Sequence, residues 1–168
     1  NYGPRQLPEK FIPLCIANGL EERPIPLYGD GQQRRNWLYV EDLCDALGWL
    51  IQRGRIGEIY NIGSGTEQAN LETARMILAR LERQADLIEF VEDRPGHDRR
   101  YAMNDAKLSA LGWKPQVTFD RGLTDTVTWY VAHAAWWQPL TQKLREDPYH
   151  WLNRAARPGA GRAALPVG

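Results

Sequence analysis

The chain has 168 residues, 43% apolar and 25% charged, an ordinary globular composition that can bury a core and excludes a disordered or fibrous chain. Its 21 basic side chains balance 21 acidic ones, so it lacks the net basic footprint of a general nucleic-acid or membrane-surface binder. No apolar run reaches the roughly 18 residues of a membrane span, and the opening NYGPRQLPEK lacks the apolar stretch of a signal peptide.

The chain opens at Asn1, without methionine, inside what reads as a loop, so it is expected to be a piece of a longer protein. Gly3, Pro4 and Pro8 mark that loop. Residues 9–22 read as a helix with Phe11, Leu14, Cys15 and Leu20 near one face, stopped by Pro24 and Pro26. Leu27-Tyr28 is a short extended piece, Gly29-Asp30-Gly31 a turn, and Arg35 to Val40 an aromatic, β-branched strand. Glu41 and Asp42 open a helix to about Arg53, their charge suited to the helix dipole. Its apolar positions Leu43, Ala46, Leu47, Leu50 and Ile51 fall on one stripe. Glu58 to Ile62 reads as a strand, residues 70–83 as a helix, Leu87 to Val91 as a strand, and 93–101 as a polar loop. A short helix over 104–111 ends at Gly112, and a last helix spans 120–137. Residues 139–168 read as a tail, helical near 141–154 and disordered beyond. Strands alternate with helices, so the fold class is α/β.

Cys15 and Cys44 both lie in apolar helical stretches and read as buried free thiols of a reducing, cytoplasmic setting. His97, His133 and His150 have no Cys or second His at ligand spacing, so no metal site is expected. There is no P-loop, no G-x-S-x-G elbow, no three-glycine dinucleotide fingerprint and no Tyr-x-x-x-Lys. Nothing pairs a nucleophile with a base, so no catalytic residue is expected in this chain. Basic side chains beside aromatics do stand out: Lys10 by Phe11, Arg34 and Arg35 between Tyr28 and Trp37, and Arg94, His97, Arg99 and Arg100 before Tyr101. Such a set suits a phosphorylated ligand with a flat ring, because Arg forks match phosphate oxygens. The rival is solvated surface, or ion pairs with Asp93, Asp98 and Asp105.

Several blocks give the chain a family resemblance. NYGP at 1–4, WLYVEDLCDAL at 37–47 and YNIGSG at 60–65 are general to the extended short-chain dehydrogenase/reductases. PEKFIPL at 8–14, YGDGQQRRNW at 28–37, DRPGHDRRYA at 93–102 and LGWKPQVTF at 111–119 are more specific. From Asn1 to about Trp137 the chain resembles the C-terminal half of the dTDP-glucose 4,6-dehydratases. The resemblance implies an NAD-dependent lyase that oxidises the glucosyl C4 hydroxyl, eliminates water across C5 and C6 and returns hydride to C6. It also implies that NAD and the catalytic residues belong to an N-terminal Rossmann half, and that the whole enzyme is a homodimer in the cytoplasm, with no nucleic-acid or membrane partner.

The resemblance divides the chain into a sugar-nucleotide-binding part, 1–138, and the tail, 139–168, with residues 41–63 returning to the Rossmann domain. It implies a dTDP-sugar site of Lys10, Phe11, Pro26, Leu27, Tyr28, Arg35, Asn70, Asp93, Arg94, Pro95, Gly96 and His97, with Asn1 near the nicotinamide end of NAD. Lys10, Phe11 and 26–28 would flank the base, and Arg35, Arg94 and His97 would hold the diphosphate and ribose. Phe11 replaces the usual Leu, Asn36 the usual Asp, and GSGTEQAN a typical GGHNEKTN. The bland alternatives are core packing for Tyr28, Trp37 and Tyr39, surface for His133 and His150, and a helix start for Glu41 and Asp42. A sister UDP-sugar dehydratase, decarboxylase or epimerase, or a non-catalytic nucleotide-sugar binder, also stays open.

Overall fold

The computed structural model describes residues 1–146. Helix α1 (Phe11–Leu20) leads into strand β1 (Ile25–Tyr28). A turn follows, and strand β2 (Arg34–Asn36) leads toward helix α2 (Val40–Arg53). Strand β3 (Glu67–Ala69) runs straight into helix α3 (Asn70–Arg80), and strand β4 (Ile88–Val91) follows a single 3-10 turn. Strand β5 (Arg100–Tyr101), the short helix α4 (Ala106–Ser109), α5 (Phe119–Ala132) and α6 (Ala134–Glu146) complete it.

Two small sheets result, so the α/β class holds. β1 pairs in parallel with β4, Ile25 opposite Ile88 and Tyr28 opposite Val91. β2 is central in the other sheet, antiparallel to β3 and parallel to β5. Gly31 turns the chain between β1 and β2 at φ +70°, where a Cβ would also lie 2.4 Å from Leu27 Cδ2.

Helices α1, α3, α5 and α6 close around one core that includes Ile12, Ile16, Ile77, Leu78, Leu123 and Tyr130. Tyr2 locks the chain's start onto it: its backbone bridges Tyr39, and its hydroxyl donates to Phe119 O at 3.2 Å. A Cβ on Gly122 would sit 2.3 Å from that hydroxyl, so α5 needs glycine there. Thr118 caps α5 by accepting from Arg121 N.

A second, smaller cluster joins Leu38, Ala46, Leu108 and Trp113 beneath α2. Buried Asp42 ties the 113–119 connector to it, accepting from Gln116 N and Val117 N at 3.0 Å each. Glu41 and Asp42 stand in the first turn of α2, as a helix start requires. The outer face of α2 is open, with Leu47 48% and Ile51 86% exposed.

Several local expectations need correction. The 35–40 strand is shorter, because Val40 already opens α2 and only Tyr39 makes an isolated bridge. Residues 58–62 form no strand, since no described segment pairs with their backbone. Lys107 Nζ bonds Ile59 O at 2.9 Å and the Glu58 carboxylate instead. Part of the 93–101 loop is strand β5. The last helix is two helices: the chain breaks at His133, letting buried Trp137 donate its Nε1 hydrogen to Tyr130 O at 2.9 Å. Cys15 is buried but Cys44 is exposed, because it faces away from the small cluster, and both are free. Helix α6 continues through Pro139 to Glu146, so the tail's helical start is seen that far. The rest of the tail, with His150, lies outside the described residues.

Candidate functional site

The first turn of α1, strand β1 and the start of α3 converge on one cleft. Lys10, Phe11, Pro26, Leu27, Tyr28 and Asn70 line it, with Glu9 and Leu14. At about 190 Å³ it holds one small ring rather than a whole drug-sized ligand. The parallel pairing of β1 with β4 fixes Pro26 to Tyr28 as one wall. Phe11 is held from behind by Trp37, stacked at 6.3 Å and 14°. Trp37 is therefore half-buried support for the cleft, and Tyr39 is core.

Asn70 is buried, and its backbone N–H donates to Gln33 O at 3.0 Å. Its Oδ1 is buried and has no hydrogen-bond partner among the described residues. Lys10 pairs with adjacent Glu9 at 2.9 Å in an exposed contact of little energetic worth, so its ammonium is available.

Tyr28 links the cleft to a cationic cluster: its ring meets the His97 ring edge-on at 5.5 Å. Burial raises the Tyr28 phenol above its ordinary value, so it stays protonated. His97 Nδ1 lies 2.6 Å from Asp93 Oδ1, and Nε2 lies 3.0 Å from Arg35 Nη2. The guanidinium has no acceptor atom, so Nε2 must accept and the imidazole proton sits on Nδ1. The hydrogen bond from His97 holds the Asp93 carboxyl below the usual carboxylate range. Desolvation of half-buried Arg35 lowers its own pKa, though not enough to discharge a guanidinium. The Arg35 guanidinium also rests over the Tyr101 ring at 4.3 Å.

The cations of the 93–101 loop divide into two kinds. Arg99 is a strut, donating to both oxygens of Asp30 at 2.6 and 2.9 Å. Arg100 does the same to Glu67 at 2.7 Å twice. The ion-pair alternative thus describes Arg99, with Asp30, and Arg100 and Arg34, both with Glu67, while His97 meets Asp93, one of the aspartates named for it. Arg35 and Arg94 form no carboxylate ion pair within the described residues. Pro95 and Gly96 shape the exposed loop tip, Gly96 with φ +70°.

Six of the expected site residues therefore share the cleft, and Arg35, Asp93 and His97 form the cluster beside it. Asn1 lines neither; it is exposed, and its carbonyl accepts from Gln6 Nε2 at 2.8 Å. Gln33 escapes sequence reasoning, because QQRR reads as surface, yet it is 1% exposed and donates to Tyr28 O and Asp93 Oδ2. Asn36 ties down the 63–65 loop, its Oδ1 accepting from Ser64 N at 2.9 Å. His133 is exposed and stacks on Trp129 at 4.4 Å.

No group of three metal-ligating side chains occurs among the described residues. None of their strands feeds a helix through a glycine-rich fingerprint turn, the device that seats a dinucleotide pyrophosphate, so these residues do not by themselves fit NAD. The cleft and cluster together can bind a flat ring joined to an anion; they present no nucleophile and base.

Residues 1–126 match the model of the GDP-mannose 4,6 dehydratase family. A dTDP-glucose 4,6-dehydratase from Neisseria meningitidis serogroup B is 50% identical over 150 residues, covering 82% of this chain and 42% of that protein. The chain thus spans less than half the length of the curated relatives it matches. Among solved structures, a dTDP-glucose 4,6-dehydratase from Bacillus anthracis in complex with NAD is 48% identical, with TM-score 0.79, over 83% of this chain and 45% of that one. The Streptomyces venezuelae enzyme, with NAD and TYD bound, is 44% identical, with TM-score 0.81, over 83% of this chain and 44% of that one.

Proposed function

The chain belongs to the GDP-mannose 4,6 dehydratase family, and from that premise we propose that it is the sugar-nucleotide-binding part of an NAD-dependent dTDP-glucose 4,6-dehydratase. The enzyme would convert dTDP-glucose to dTDP-4-keto-6-deoxyglucose with net loss of water. The observation that carries this reading is a one-ring cleft beside two arginines that form no carboxylate ion pair among the described residues. The base would lie between Phe11 and Tyr28, with Asn70 at the cleft's floor. Arg35 and Arg94 would face the diphosphate, whose charge Arg forks match, while His97 Nε2 holds Arg35 by accepting from it. Lys10 would close the cleft's rim. NAD and the acid–base chemistry belong to the rest of the enzyme, with Asn1 reaching toward the cofactor.

Helix α2 and residues 58–62 would dock on that remainder, which is consistent with exposed Leu47, Ile51, Ile56 and Ile59 and with a backbone lacking ladder partners. The two free cysteines support a cytoplasmic setting. No described helix is long and apolar enough to cross a membrane. Homodimer formation would fall to the remainder as well. The test is turnover by the whole enzyme supplied with dTDP-glucose, UDP-glucose or GDP-mannose, each with NAD. Formation of the 4-keto-6-deoxy product from dTDP-glucose first supports the proposal; preference for another base overturns its base assignment.

A further inference from the structure

We propose that Gln33 and Asp93, through His97, and Tyr101, directly, are positioning residues that set the Arg35 guanidinium for a nucleoside diphosphate, an inference that rests on the reading above. Asp93 is a poor ligand for a diphosphate, because one anion repels another. Its oxygens are also engaged: Oδ1 accepts from His97 Nδ1 at 2.6 Å and from Arg94 N at 2.9 Å, and Oδ2 from Gln33 Nε2 at 3.0 Å. Its place is behind His97, where it fixes the tautomer that leaves Nε2 able to accept from Arg35.

Gln33 closes the chain from the rear. The same buried amide donates to Tyr28 O at 3.1 Å, so one side chain ties the cleft wall to the loop bearing His97. Tyr101 supports Arg35 from below. The parallel register of β2 and β5 sets Arg35 opposite Tyr101, and the guanidinium lies 4.3 Å from the ring centroid. Arg35 spends one N–H on Arg34 O and one on His97. Its other donors have no hydrogen-bond partner within the described residues, and they suit phosphate oxygens. A mobile arginine would lose rotamer entropy on binding; here ring and imidazole have already fixed it.

Titration calorimetry on the whole enzyme with dTDP, UDP and thymidine tests this. Tyr101 is half-exposed, so Tyr101→Leu should fold. It should weaken dTDP and UDP by about two- to fivefold, as for loss of a partly exposed cation–π contact, and leave thymidine unchanged. Tyr101→Phe keeps the ring face and should bind as the wild type does. Gln33→Met, which also releases Tyr28 O, should weaken dTDP and UDP more than thymidine. Equal loss of thymidine and dTDP, a Phe variant as weak as the Leu variant, or no change in Tyr101→Leu overturns the proposal. A wild type that prefers UDP defeats the dTDP reading alone, because the same pattern with UDP still supports the positioning. A wild type that binds neither diphosphate overturns both.

Discussion

The two apolar clusters of this chain are finished to different degrees. The one around α1, α3, α5 and α6 is closed: Ile12, Ile16, Ile77 and Leu123 are fully buried. The one beneath α2 is closed on one side only, where Leu38, Ala46, Leu108 and Trp113 meet. On its other side Leu47, Ile51, Ile56 and Ile59 face solvent. The ring cleft stands on the closed cluster, through α1 and α3, so its walls rest on buried side chains. The open cluster holds none of the cleft's residues. On the function proposed above, the binding cleft and the docking face would occupy different segments of the chain.

Expressing residues 1–168 alone tests that separation most severely. The uncovered α2 face and the unpaired 58–62 segment should make the lone chain aggregate or stay partly molten, with no dehydratase activity. Co-expression with the remainder of the enzyme should rescue it. Leu47→Lys with Ile51→Lys should raise the solubility of the lone chain and abolish that rescue. Ile12→Ala in the closed cluster should instead cost the whole enzyme about 2–5 kcal/mol of stability, the range for truncating a core aliphatic. A cooperative, monomeric melt of the unmodified lone chain would sink the contrast.

The closed cluster was the more legible region. Helices α1 and α3 have apolar stripes and clear stops, and both stand close to their expected bounds. The strand at 58–62 was misread because its composition suits a strand, whereas a strand exists only with a partner. β5, two residues long, is set by pairing to β2 and leaves no periodic signal. The break at His133 was hidden for a similar reason: HAAWW suits a helix, and it is the Trp137 to Tyr130 bond that matches the kink. At the site, the cleft residues could be named from motif blocks. Gln33 could not, because only the tertiary fold buries it. Nor could the partners of Arg99 and Arg100 be read, since Asp30 and Glu67 lie far back in the sequence.

The contrast between site arginines and strut arginines sharpens the same division at smaller scale. Arg35→Ala in the whole enzyme should weaken dTDP binding by ~2–3 kcal/mol, the range for a lost charged hydrogen-bond partner. Arg94→Ala should act in the same direction. NAD affinity should hardly change, because the described residues do not fit that ligand. Arg100→Ala removes an exposed pair with Glu67 and should change dTDP binding far less. Calorimetry with each ligand separates these outcomes; parallel losses of NAD and dTDP from Arg35→Ala would indicate a folding defect.

The smallest effect concerns the other strut, Asp30 with Arg99. Hydrogen bonds from Arg99, then the backbone N–H of Gln32, hold the Asp30 carboxyl at about 2. In the unfolded chain the same group titrates at roughly 4. A depressed folded pKa means that the unfolded state takes up the proton first, so the strut's stabilisation is complete above roughly pH 4 and fades as pH falls through about 2. Asp93 is depressed in the same direction by His97, so the wild-type acid profile contains both contributions. Asp30→Asn subtracts one of them. Stability measured from neutral pH down to about 2 should fall more steeply in the wild type than in Asp30→Asn. The gap should narrow in high salt, since both partners are more than half exposed and screened. Superimposable profiles would show that the pair contributes nothing to stability and that β5 and the β1–β2 turn are held by backbone pairing alone.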